Sequence, residues 1–154
     1  MDRNRWPFCT YNMFNYRLGV SATQLRVLLA TDQGYLYGPD DPWGLLPIES
    51  FRIDAILRQV FCHDVPPGVR DEFCEQILER LNKGAWRQWD EVRGSFYRPV
   101  SHKFAAIAVY LVEVDFRHNN PVDRADVIWA ECLHRFDPGR LLEAMDGIPE
   151  LYAM

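Results

Sequence analysis

Apolar positions in this chain recur with two periods, near two residues and near 3.6, and the period changes at clusters of glycine and proline. The segment QLRVLLATDQGYLYGPDD, residues 24–41, predicts a strand, a tight turn and a second strand. Val27, Leu28 and Leu29 are strand formers, Asp32-Gln33-Gly34 offers a residue tolerant of positive φ, and Tyr35-Leu36-Tyr37 resumes extension. The prolines and glycines of GPDDPWG then predict the end of the hairpin. A helix follows from about Ser50 to Cys62, because Ile53, Ile56, Leu57, Val60 and Phe61 form one stripe of helical spacing, with Ser50 as N-cap. HDVPPG ends that helix and starts the next, since proline is tolerated in a first helical turn and not inside.

The second helix is predicted from Val69 to Lys83. Val69, Phe73, Ile77 and Leu81 step by four, Cys74 and Leu78 widen the stripe, Glu79 stands one turn before Lys83, and Gly84 fits the C′ position. Trp86 and Trp89 are spaced to prolong a helix, which Gly94 and Pro99 would break. From Phe104 to Arg117 the pattern is a strand, with Val112, Val114 and Phe116 on one face and Glu113, Asp115 and Arg117 on the other. HNNPVDRAD is a turn region, and VIWAECLHRF returns as a strand. Pairing Arg117 with Glu131, and hence Glu113 with Arg135, sets opposite charges against each other. A register two residues tighter on each strand would oppose Glu113 and Glu131, which repulsion disfavours. Asp137-Pro138 reads as the N-cap and N1 of a short helix ending near Gly147. The expected fold is α+β in a single domain, residues 1–154: an antiparallel sheet of four to five strands, two main helices on one face, order ββ-αα-ββ, and a short C-terminal helix.

Composition changes this picture little. The apolar fraction of 48% and charged fraction of 25% over 154 residues belong to a globular domain able to bury a core. A net charge of −5 argues against a phosphate-driven nucleic-acid mode, which needs clustered Lys and Arg. Lysine occurs only at Lys83 and Lys103, so the cations are mostly arginines suited to partly buried ion pairs. The start MDRNRWPF has no apolar h-region, and the longest apolar run, FAAIAVYLV, is far short of the ~20 residues of a membrane helix. We therefore expect no signal peptide, no membrane insertion and a cytoplasmic setting, with Cys9, Cys62, Cys74 and Cys132 as free thiols.

Three constellations carry candidate chemistry. Cys62, His63, Cys132 and His134, with Cys74 beside them, offer soft ligands for zinc, but their spacing matches no established zinc pattern. Small buried thiols account equally for Cys74 and for Cys132, which alternates inward with Ala130. A Cys–His nucleophile, from Cys62 or Cys132 with His63, His102, His118 or His134, needs an electropositive, partly exposed setting. Adjacency along a helix, as in Cys62-His63, does not bring side chains together, and a fraying helix end explains His63 better. Glu113 and Asp115 could share a proton on one strand face, although a solvated face balanced by Arg117 and Arg135 explains them as well. P-loop, G-x-G-x-x-G, H-E-x-x-H, G-x-S-x-G and EF-hand patterns do not occur, so no catalytic residue is assigned and no cofactor is expected.

The opening RWPFCTYNMFNYR holds Trp6, Phe8, Tyr11, Met13, Phe14 and Tyr16. Trp6, Tyr11 and Phe14, with Trp43, Trp86 and Trp89, are candidate partner-binding anchors, since Trp and Tyr dominate interface hot spots. The same rings could instead pack an N-terminal strand across the sheet. WPFCTYNMF, through Trp6, Pro7, Phe8, Tyr11, Met13 and Phe14, resembles the W-P-F-x-x-Y-x-M-F/Y opening of the soluble tails of bacterial HTTM-type membrane proteins. That family is related to vitamin K-dependent γ-carboxylases and has small stand-alone relatives. The downstream order is similar too: a hairpin with a D-x-G turn, helices, and a strand carrying VEVDFR. With no membrane segment here, the resemblance implies a bacterial accessory-type domain acting beside an enzyme, and no membrane chemistry. The leading expectation is a non-catalytic accessory or binding protein, of immunity or biosynthetic type, that engages a partner protein through aromatic and acidic surface. The alternative is a small metal-dependent enzyme built on the Cys/His residues. Self-association stays open.

Overall fold

A computed structural model of the chain describes residues 21–42, 45–46, 48, 50–83, 101–115 and 127–143. The elements among them are β1 (Ser21–Thr31), β2 (Leu36–Asp40), α1 (Ser50–Phe61), α2 (Pro67–Lys83), β3 (Phe104–Asp115) and β4 (Val127–Phe136). The strands form one antiparallel sheet in the order β2-β1-β3-β4, so the fold is α+β with a four-stranded sheet and two helices. Neither helix is long and apolar enough to cross a membrane.

The β1–β2 hairpin closes where its residue types demand. Gly34 takes φ +82, and the Thr31 hydroxyl, buried in the turn, accepts a hydrogen bond from the Tyr35 amide at 3.1 Å. β2 does not stop at Tyr37 as the breakers suggest but runs on through Gly38 and Pro39. An edge strand tolerates proline, because a missing N–H can face away from the ladder.

α1 and α2 lay their apolar stripes on one face of the sheet. Ile53, Leu57 and Phe61 from α1 and Cys74, Ile77, Leu78 and Leu81 from α2 are buried against Leu25, Val27, Leu29, Ile107 and Val109. Val69, in the first turn of α2, drops out of the expected stripe at 50% exposure. The opposite face is buried as well. Leu28, Ala30, Ala106, Ala108, Tyr110, Val112 and Val114 form a second cluster with Leu142. Val112 and Val114 therefore point away from the helices. The near-continuous apolar run of β3 is the mark of a strand covered on both sides.

The charge-matched β3–β4 register is not the one adopted. Glu131 lies opposite Leu111, Glu113 opposite position 129 and Arg135 opposite Ala108, with irregularities between Val109/Tyr110 and Glu113/Val114. A cross-strand charge pair is worth roughly 0.2–1 kcal/mol, whereas burying one Val or Ile is worth about 1.5–3 kcal/mol. Glu131 is exposed and has little to gain from a partner, so the apolar residues set the pairing.

Asp137 does cap, but not an α-helix that starts at Pro138. Its carboxylate accepts the amides of Leu141 at 2.8 Å and Leu142 at 2.6 Å, and residues 138–142 form turns with Arg140 at φ 55. A residue at that angle interrupts a right-handed helix. The remainder of the expected terminal helix, and Arg117 of the expected pair with Glu131, lie outside the described residues.

Candidate functional site

α2 is the element around which polar chemistry gathers. Its N-terminal turn is held to the end of α1 by Arg70, which donates to the carbonyls of Val60 at 3.2 Å and His63 at 2.8 Å. Its C-terminal end is held to β3 by Asn82. The Asn82 side chain accepts the Phe104 amide at 2.7 Å and donates to the Phe104 carbonyl at 2.8 Å, as a neighbouring strand would. From β4, His134 reaches the first turns of α2, where its Nε2 lies 2.7 Å from Asp71 Oδ1. The ring of Phe61 covers the imidazole at 5.8 Å between centroids, leaving the His134 side chain 14% exposed.

A histidine held by a carboxylate invites a catalytic reading, and the geometry argues against it. In the usual acid–base arrangement the carboxylate takes Nδ1 and leaves Nε2 for substrate. Here Nε2, the outer nitrogen, is the one engaged. The nearest thiol on α2, Cys74, is buried, and burial pushes it up to about 12 with the Asp71 carboxylate adding to the shift. A thiol so raised stays protonated and is no nucleophile at neutral pH. The pair is a clasp between an edge strand and a helix.

The zinc-type residues are dispersed. Cys62 and His63 are exposed in the turn after α1, Cys74 faces the core, and Cys132 and His134 stand on β4, with Cys132 on the face of Ala130 as expected but exposed rather than buried. Among the described residues no group of three or more His, Cys, Asp or Glu side chains is placed to hold a metal ion. Glu113 is half-buried on β3, and the Asp115 side chain and His118 lie outside the described residues. The six aromatic candidates, Trp6, Tyr11, Phe14, Trp43, Trp86 and Trp89, also lie outside them.

The described surface carries open hollows, of which two are lined by charged side chains. One, of about 460 Å³, lies beside β1 and α1 and is lined by Arg26, Asp41, Phe51, Asp54 and Arg58, among others. Its charges are largely spent internally: Arg58 pairs with Asp54 at 2.7 Å and donates to the Thr23 carbonyl, and Arg26 donates to Gln24. The other, of about 580 Å³, is a groove between α2 and the adjoining ends of β3 and β4. Glu72, Glu75 and Glu79 form one wall, and Leu78, Phe104 and Phe136 give it an apolar floor. Lys83 pairs with Glu79 at 2.6 Å and holds that carboxyl below the usual range. Glu72, Glu75 and Glu79 step by three and four, the spacing of one helix face. That signal is present in the sequence beside the apolar stripe. Asp71 as the partner of His134 has no such signal, because only the tertiary packing of α2 beside β4 brings the two together across 63 positions of sequence.

No protein-family model, curated protein or solved structure matches the chain.

Proposed function

We propose that this protein is a non-catalytic accessory or binding protein that engages a basic segment of a partner protein through the acidic groove along α2. The groove carries the reading. Three carboxylates, Glu72, Glu75 and Glu79, stand on its wall above the apolar side chains of Leu78, Phe104 and Phe136. Such a surface favours a segment that presents arginine or lysine beside an apolar anchor. Carboxylates at the rim speed encounter and reject acidic competitors, while the apolar floor supplies residence. The net charge of −5 adds long-range attraction for a basic partner. The aromatic anchors Trp6, Tyr11, Phe14, Trp43, Trp86 and Trp89 extend the contact in this proposal, and the likeness of WPFCTYNMF to HTTM-type soluble tails supports a role beside a bacterial enzyme; the proposed setting is the cytoplasm.

The test uses a labelled peptide alternating arginine and leucine, its glutamate-for-arginine counterpart, and fluorescence anisotropy over a salt series. The basic peptide binds, the acidic one does not, and Glu72→Gln/Glu75→Gln/Glu79→Gln weakens binding by about tenfold or more, as three rim charges together should. Equal binding of the two peptides, or an unaffected triple variant, overturns the reading.

A further inference from the structure

On the sheet face away from the helices, Tyr110 of β3 stands directly opposite Cys132 of β4. Tyr110 is 1% exposed, and among the described residues its buried hydroxyl meets no partner at full hydrogen-bond geometry, although Arg135 and Cys132 stand within its reach. Cys132, on the edge strand, is exposed, and its thiol makes a long contact of 3.7 Å to the carbonyl of His134. Arg135, opposite Ala108, lies on the same face one step along β4, beyond the irregularity that follows Cys132. Burial pushes the Tyr110 phenol up, the Cys132 thiol adds to the shift, and the Arg135 guanidinium opposes it, so these side chains sense one another. A buried O–H therefore faces an accessible sulfur, next to a cation, where a neutral thiol is too weak an acceptor to satisfy it.

We propose that Cys132 is a peroxide-oxidised modification site, with Tyr110 as the donor that receives the oxidised sulfur. In its thiolate form the Cys132 sulfur attacks one oxygen of hydrogen peroxide, the O–O bond breaks, and an S–O bond forms. The departing hydroxide takes up the proton that the thiol released and leaves as water, so sulfur loses two electrons and peroxide gains them. The new sulfenic oxygen is a strong acceptor set against the Tyr110 hydroxyl, and the Arg135 guanidinium favours its ionised form. The proposal stands independently of partner binding, since the α2 groove lies on the other face of the sheet.

The chain contains its own references. Cys62 is exposed in the turn after α1, and Cys74 is buried. The whole protein is treated with equimolar hydrogen peroxide in the presence of a sulfenic-acid trap, and trapping at each cysteine is followed by mass spectrometry. Cys132 is trapped at least about fivefold faster than Cys62, and Cys74 is not trapped, as its burial requires. Tyr110→Phe, which removes one oxygen from a buried ring, lowers the Cys132 rate to that of Cys62 and leaves the Cys62 rate unchanged. The absence of trapping at Cys74 in the same sample reports that the variant is folded, and Arg135→Met gives a second variant, with the Cys132 rate again reduced. Trapping at Cys132 no faster than at Cys62, or a Cys132 rate unaffected by Tyr110→Phe, overturns the proposal.

Discussion

At Gly38 the chain comes so close to β1 that a Cβ would stand 2.5 Å from the Val27 carbonyl oxygen, at φ +99. Both the contact and the backbone angle exclude a side chain there, so Gly38→Ala should cost about 1–3 kcal/mol in urea unfolding. An unchanged midpoint would mean that β2 does not pack on β1 as described. Cys74 offers a second test at this scale. Its thiol is pushed from 9.0 to about 12 by burial, with Asp71 adding. Below pH 9.0 the folded and unfolded states both hold the proton, and the full stability is present. Above that pH only the unfolded chain releases it, so stability falls as pH rises toward about 12. Tyr110, raised above 10.0 by the same physical cause, acts in the same direction from there upward. Melting curves between pH 7 and pH 11 should therefore fall more steeply for the wild type than for Cys74→Ala; parallel curves would contradict the burial of this thiol.

Among the elements, α2 is tied by side chains at both ends, through Arg70, the Asp71–His134 pair and Asn82. These ties differ in weight. Asn82 makes two hydrogen bonds to the backbone of buried Phe104, so Asn82→Ala should cost about 1–3 kcal/mol and speed hydrogen exchange at the Phe104 amide. Asp71 is half exposed, so Asp71→Ala should cost less, about 0.5–1 kcal/mol. The reverse order would show that the β4 clasp, not the β3 clamp, fixes the helix. The strands and both helices were legible in the sequence because period and breakers are local properties, as in the Asp32-Gln33-Gly34 turn and the Ile53, Leu57, Phe61 stripe. The β3–β4 register was not, because charges at Glu113, Glu131 and Arg135 say little when apolar burial on two faces decides the pairing. The candidate site was half legible. The face of Glu72, Glu75 and Glu79 can be read from spacing alone, whereas Phe104 and Phe136 reach that groove only through the tertiary fold.

For the whole molecule, the two surface hollows differ in what they leave to a partner. In the hollow at β1 and α1 the Arg58–Asp54 pair and the hydrogen bonds of Arg58 and Arg26 engage the cations, whereas in the α2 groove Lys83 engages Glu79 and the carboxylates of Glu72 and Glu75 complete the wall beside Leu78, Phe104 and Phe136. Binding there should weaken with salt, because exposed charges are screened within about 8–10 Å at ordinary ionic strength, and the apolar floor should leave a residual affinity at high salt. The most direct measurement of the central claim is a map of backbone amide chemical shifts as the arginine–leucine peptide is titrated into the full chain. The expected shifts concentrate at residues 72–82, 104–105 and 136–138, and Glu72→Gln/Glu75→Gln/Glu79→Gln reaches them only at about tenfold higher peptide concentration. Shifts centred on the Arg26–Arg58 hollow, or a titration that the triple variant leaves unaltered, would contradict that claim.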